Sequence, residues 1–141
     1  PEEHLARMAK AQEYMQANNI DAVYLNAGPN LTYFTGMKWY ASERMVGAIL
    51  PAVGIVQYLA PYFEIGTLNG FKIIDGPIHG WQEHQNPYTL FVEVLKQLDI
   101  SGTATIGIDE SAPFFIFDGI TNWLNPNQRT ASDCTLQNAQ V

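Results

Sequence analysis

Three histidines, one cysteine and fourteen carboxylates are the side chains of this 141-residue chain that could do covalent or metal chemistry. Their spacings decide how far that chemistry can be taken. His79 and His84 are five residues apart in a Gly/Pro-rich stretch, not at i and i+4 on one helix face, so they lack the spacing of a zinc pair and are read as loop histidines facing solvent. His4 stands alone near the N-terminus. Cys134 sits in a β-prone segment with only Arg129 as a nearby cation, which suits a small buried hydrophobe better than a thiolate nucleophile. Gly28-Pro29-Asn30 follows a short apolar run but has neither the G-x-G-x-x-G nor the G-x-x-x-x-G-K pattern that cradles phosphate. Asp109-Glu110 closes one apolar run and precedes another, where acids stabilise a helix N-terminus electrostatically. No catalytic residue and no metal-ligand set is assigned within the chain.

Trp39-Tyr40-Ala41-Ser42-Glu43-Arg44 is different in kind. Two aromatics and an arginine lie between core elements, where a rigid scaffold commonly presents binding residues. A guanidinium can grip a carboxylate through two parallel hydrogen bonds, and aromatic faces can wall a small apolar ring such as that of proline. The competing reading is an Arg44–Glu43 surface network with the aromatics packing locally. Both readings stand on the residues alone, and on the first of them Trp39, Tyr40 and Arg44 are the candidate binding residues.

The elements that would position this segment follow from periodicity. Leu5, Met8, Ala11 and Met15 recur at three- and four-residue spacing, which predicts a surface helix from Glu2 to Asn18 with these four residues facing inward. Asp21–Leu25 is a buried strand, and Pro29–Thr35 a short helix stopped by Gly36. Val46–Leu50 and Gly54–Leu59 form a hairpin. Tyr62–Asn69 is a short helix closed by Gly70, and Phe71–Ile74 a further strand. Asn86 as N-cap, Pro87 at the first helical position and the stripe Leu90, Phe91, Val94, Leu95, Leu98 mark a helix over 87–98. Thr103–Ile108 is a strand, Ser111–Leu124 a helix and Thr130–Thr135 a last strand. Helices alternating with strands predict an α/β fold, a mixed sheet flanked by helices.

Composition narrows the partners. With 47% hydrophobic and 15% charged residues the chain has the material for a core, and its length suits a single domain. A formal charge of −7 opposes binding to a phosphate backbone or an anionic lipid surface, so no nucleic-acid or membrane partner is expected. A single cysteine precludes an internal disulfide, and no apolar run approaches the ~20 residues of a membrane span or resembles a signal peptide. A cytoplasmic location is expected. The chain begins at Pro1, as a trimmed fragment would.

From Arg7 onward the residues resemble a known family. Asn18-Asn19-Ile20-Asp21-Ala22-Val23-Tyr24-Leu25 followed by Pro29-Asn30-Leu31-Thr32-Tyr33-Phe34-Thr35-Gly36 is similar to the opening of the creatinase/prolidase N-terminal domain. Glu43-Arg44 ahead of Ile49-Leu50-Pro51, then Tyr58-Leu59-Ala60-Pro61, Trp81, Asn86-Pro87-Tyr88 and Ile106-Gly107-Ile108-Asp109 continue it in order over nearly the whole chain. The resemblance implies a ribonuclease-H-like mixed sheet for residues 1–141 and a parent that is a Xaa-Pro dipeptidase (prolidase) or aminopeptidase P. It implies a metallopeptidase domain following this one, in which two Asp, one His and two Glu hold two divalent ions (Mn, Co or Zn) that activate water against the bond before proline. In such a homodimeric hydrolase this domain would be non-catalytic and inactive alone. It would pack on its own C-terminal catalytic domain, take part in dimerisation and send the Trp39–Arg44 segment toward the site that takes a proline-containing peptide. The alternatives are a creatinase-like amidinohydrolase parent and a stand-alone interaction module.

Overall fold

A computed structural model describes residues 2–40, 44–82, 84–100 and 105–109, and the backbone of 129–131. Among the described residues four helices and six strands order as α1 (Glu2–Ala17), β1 (Ala22–Asn26), α2 (Pro29–Thr35), β2 (Gly47–Pro51), β3 (Gln57–Pro61), α3 (Ile65–Phe71), β4 (Ile78–Trp81), α4 (Pro87–Gln97), β5 (Thr105–Ile108) and β6 (Arg129–Ala131). A single 3-10 turn, Tyr62–Glu64, leads into α3. The strands form one sheet in the order β4-β3-β2-β1-β5-β6. β2 runs antiparallel to both β1 and β3, whereas β1–β5, β3–β4 and β5–β6 are parallel. This is the mixed sheet flanked by helices that the residue pattern predicts.

β1, β2 and β3 are buried along their whole length, as strands covered on both faces must be. Alternation then splits the core in two. Val23, Leu25, Ala48 and Leu50 pack with Met8, Ala11 and Met15 of α1, Leu31 and Phe34 of α2 and Leu68 of α3. Ala22, Tyr24, Ile49 and Leu59 pack on the opposite face with Phe91, Val94 and Leu95 of α4. α1 also clamps the β2–β3 turn through polar contacts: the Gln12 amide donates to the Pro51 and Gly54 carbonyls, each at 2.9 Å, and the Gln16 amide to that of Ala52 at 2.8 Å. Among the described residues no helix is long and apolar enough to cross a membrane.

Three expectations need correction. Leu5 carries the right period but is 53% exposed, while the first turns of α1 meet α2 through His4 and Arg7 at Tyr33. The short helix is not closed by Gly70 and continues to Phe71. Phe71–Ile74 is no strand. Phe71 ends α3, Ile73 faces solvent, and Ile74 alone is buried, its carbonyl accepting the Tyr58 hydroxyl at 2.7 Å. The crossover has to carry the chain back along β3 before a parallel partner can start, so the strand begins at Ile78. Ser111–Leu124 lies outside the described residues, as do Glu43, Glu110 and Cys134.

Candidate functional site

The C-terminal end of β1 opens onto the most distinctive surface of the domain. Gly28 takes φ 142°, a conformation suited to glycine, and Pro29 then starts α2 with its φ already set. Gly36 ends α2 in the left-handed region at φ 78° and turns the chain back on itself. The returning strap is pinned by two short links: the Thr32 hydroxyl donates to the Met37 carbonyl at 2.9 Å, and the Met37 N–H donates to the Thr35 hydroxyl at 3.2 Å. Met37 is wholly buried. Beyond it Lys38, Trp39 and Tyr40, together with Gly28, Pro29, Thr32 and Tyr33, line a groove of ≈ 470 Å³. Trp39 is half-buried, its ring edge-on to Phe71 at 5.7 Å, while Tyr40 is 89% exposed. Lys38 brings a cation to walls that are otherwise aromatic and apolar.

A buried polar network stands behind the groove. The Tyr24 hydroxyl donates to the Asn26 side-chain oxygen at 2.9 Å. The Asp109 carboxylate, 1% exposed, accepts the Asn26 N–H at 3.1 Å and the Asn30 amide at 2.5 Å, while its own N–H donates to the Tyr24 carbonyl at 2.9 Å. Burial, with the Asp109 charge adding to it, pushes the Tyr24 pKa well above its usual value, so the hydroxyl stays protonated and donates. On the outer side the Arg7 guanidinium lies 4.3 Å from the Tyr33 ring centroid and donates to the Tyr33 carbonyl at 2.9 Å. The arrangement can hold a small apolar or aromatic group between rigid walls with a cation at the rim.

A model of the creatinase/prolidase N-terminal domain matches residues 7–139 of this chain. The chain belongs to that family. A search of curated protein sequences finds no match. Among solved structures, this creatinase/prolidase N-terminal domain is similar to a prolidase from Thermococcus sibiricus, with TM-score 0.75 and 23% identity over 89% of this chain and 33% of that one. A dipeptidase from Pyrococcus horikoshii OT3 gives TM-score 0.72 and 24% identity over 89% of this chain and 33% of its own. The N-terminal domain of an X-Pro dipeptidase from Streptococcus pyogenes gives TM-score 0.74 and 16% identity, covering 90% of this chain and 92% of that one. At these identities the likeness is one of fold. The chain spans about a third of the length of the first two proteins.

Within this creatinase/prolidase N-terminal domain the three candidate residues do not all converge. Trp39 and Tyr40 line one groove, as their adjacency suggests. Arg44 is outside that lining, and its guanidinium sits 5.4 Å from the centroid of the Phe63 ring on the 3-10 turn. The groove cation is Lys38, which a search for two-donor carboxylate recognition passes over. His79 is not a loop residue: it lies on β4, half-buried, with Nε2 2.9 Å from the Gln57 side-chain oxygen, and desolvation lowers its pKa. His84 is exposed as expected, and His4 places Nδ1 3.1 Å from the Tyr33 carbonyl. Asp109 joins β1 and α2, and the helix expected to follow it lies outside the described residues. Among the described residues no three of His, Cys, Asp and Glu gather as metal ligands.

Proposed function

We propose that this is the non-catalytic N-terminal domain of a cytoplasmic, homodimeric Xaa-Pro peptidase, a proline dipeptidase or an aminopeptidase P. The observation that carries the reading is the family match over residues 7–139, together with folds that form a third of a prolidase and of a dipeptidase. On this reading a metallopeptidase domain accompanies the chain and supplies two divalent ions, Mn, Co or Zn. Among the described residues no cluster of three His, Cys, Asp or Glu side chains would hold them. The work of this domain is to pack against that partner, support the dimer and help shape the pocket for a proline-containing peptide through Trp39, Tyr40 and Arg44. The aromatic groove, with Lys38 in its lining, suits a pyrrolidine ring and a terminal carboxylate.

The polypeptide carrying both domains, loaded with Mn²⁺, Co²⁺ or Zn²⁺, should hydrolyse Xaa-Pro peptides and stop when the metal is chelated. The 141-residue chain with the same ions should not. Turnover of creatine with none of Xaa-Pro peptides would overturn the reading, and so would metal-dependent peptide turnover by the short chain. In the two-domain enzyme Arg44→Ala should raise KM, with kcat less affected if the lost contact is the same in ground and transition states. Lysine at this position should rescue only part of the loss, since an ammonium keeps the charge without the planar fork. Unchanged KM and kcat, measured beside a thermal melt of the same preparation, would take Arg44 out of the site.

A further inference from the structure

The carboxylate of Asp109 lies where the chain leaves β5, almost completely buried and with an acceptor oxygen turned to each of two elements. One oxygen takes the Asn26 N–H at the end of β1, and the other takes the side-chain amide of Asn30 in the first turn of α2. A buried carboxylate is costly, and hydrogen bonds to an ionised acceptor are the strong kind that offset such a cost. The net effect of the buried carboxylate on stability is therefore close to neutral, whereas its geometry is specific. Asn30 is tied to the sheet through Asp109, and Met37, from which the Lys38–Tyr40 strap continues, is tied to α2 through Thr32 and Thr35. α2 and the strap are thus joined, and the Asp109–Asn30 contact ties them to the end of β5, in addition to the Leu31 and Phe34 side chains packed on the sheet.

We infer that Asp109 and Asn30 form a buried latch that sets the groove, Asp109 acting as a positioning residue for Trp39 through Asn30, α2 and the strap. Opening the latch should shift α2 and its strap against α3, which carries Phe71, and so disturb the edge contact that holds the Trp39 ring at the groove wall. The inference rests on this geometry and not on the peptidase reading, so either can fail without the other.

The test is fluorine NMR of the chain labelled with 5-fluorotryptophan, the Trp39 resonance being assigned by Trp39→Phe. Asn30→Asp places two carboxylates at hydrogen-bond distance, so that while both are charged they repel each other and part. At pH 8 the Trp39 resonance of this variant should move away from its wild-type position, and it should return toward that position as the pH falls to 5 and one proton is shared. The paired exchange of Asn30→Asp with Asp109→Asn keeps both hydrogen bonds, the new amide at 109 accepting from Asn26 N–H and donating to the carboxylate now on α2. It should restore the wild-type resonance at both pH values. An Asn30→Asp resonance unmoved at pH 8 would overturn the latch even if the melting temperature drops, because that is what a purely stabilising contact would give. Should the single variant be unfolded at pH 8, the paired exchange decides alone: a folded chain with the wild-type resonance supports the latch, and an unfolded chain or a displaced resonance refutes it.

Discussion

Gly47→Ala should cost the domain on the order of 3 kcal/mol, the upper part of the range for forcing extra volume into a packed core. Gly47 opens β2 and pairs with Asn26 on one side and Leu59 on the other. A Cβ there would run into the Leu25 carbonyl oxygen of the neighbouring strand and come within 2.7 Å of the Tyr24 hydroxyl and 2.9 Å of its ring. The Leu25 backbone is held in the sheet by its pairing with Ala48 and cannot easily step aside, and the ring is held as well. Its hydroxyl is bonded to Asn26, with the Val46 carbonyl at 3.3 Å, and its edge rests against Phe91. Relief would have to come from separating β1 and β2 at the point where the polar network behind the groove begins. Gly66→Ala is the matched control: Gly66 lies in α3 with open space where its Cβ would go, so alanine there should gain up to about 1 kcal/mol of helix propensity. Urea midpoints of the two variants should move in opposite directions, and equal midpoints would mean that β1 and β2 are not packed as described.

The contrast shows what a sequence can and cannot reveal about this fold. Local signals were enough for α1, whose Met8, Ala11 and Met15 stripe is buried, for α2 between Pro29 and Gly36, and for α4, where Asn86 accepts the Tyr88 N–H at 2.8 Å. The β2–β3 hairpin was legible for the same reason, since two apolar runs flank a turn. β4 was not, because Ile78-His79-Gly80-Trp81 carries a glycine and little β-branched character and is a strand by virtue of its parallel partner β3. Asp109 shows the same limit at the candidate site. Its partner Asn30 is 79 residues away in sequence, and no local pattern joins an acid at the end of β5 to an amide on α2. Arg44 shows the converse, in which closeness in sequence to Trp39 and Tyr40 does not place it in their groove.

Phe91→Ala should be the most damaging truncation on α4, at about 3–5 kcal/mol. The helix buries a stripe that is uneven along its length: Phe91, Val94 and Leu95 are buried, while Leu90 and Leu98 are only half-buried. Area alone would rank Phe91 with Leu95, for which ~2–5 kcal/mol is expected. Two features push Phe91 to the top. Its ring meets Tyr24 edge-to-face, with centroids 5.8 Å apart at 75°, a pairing worth ~0.5–1.5 kcal/mol beyond its area. The cost of a cavity also depends on how far its walls can collapse, and Tyr24 is anchored by its hydroxyl to Asn26 on the far side, so the ring cannot swing into the space that Phe91 leaves. A double-mutant cycle pairing Phe91→Ala with Tyr24→Phe should then show positive coupling: once the hydroxyl anchor is gone the ring can relax, and the second substitution should cost less in the Phe91→Ala background than in the wild type. Chemical denaturation of the four proteins measures this. Strict additivity would show that the cavity collapses without help from Tyr24, and a Phe91→Ala cost no larger than that of Leu90→Ala would show that α4 does not lie on the sheet by this face.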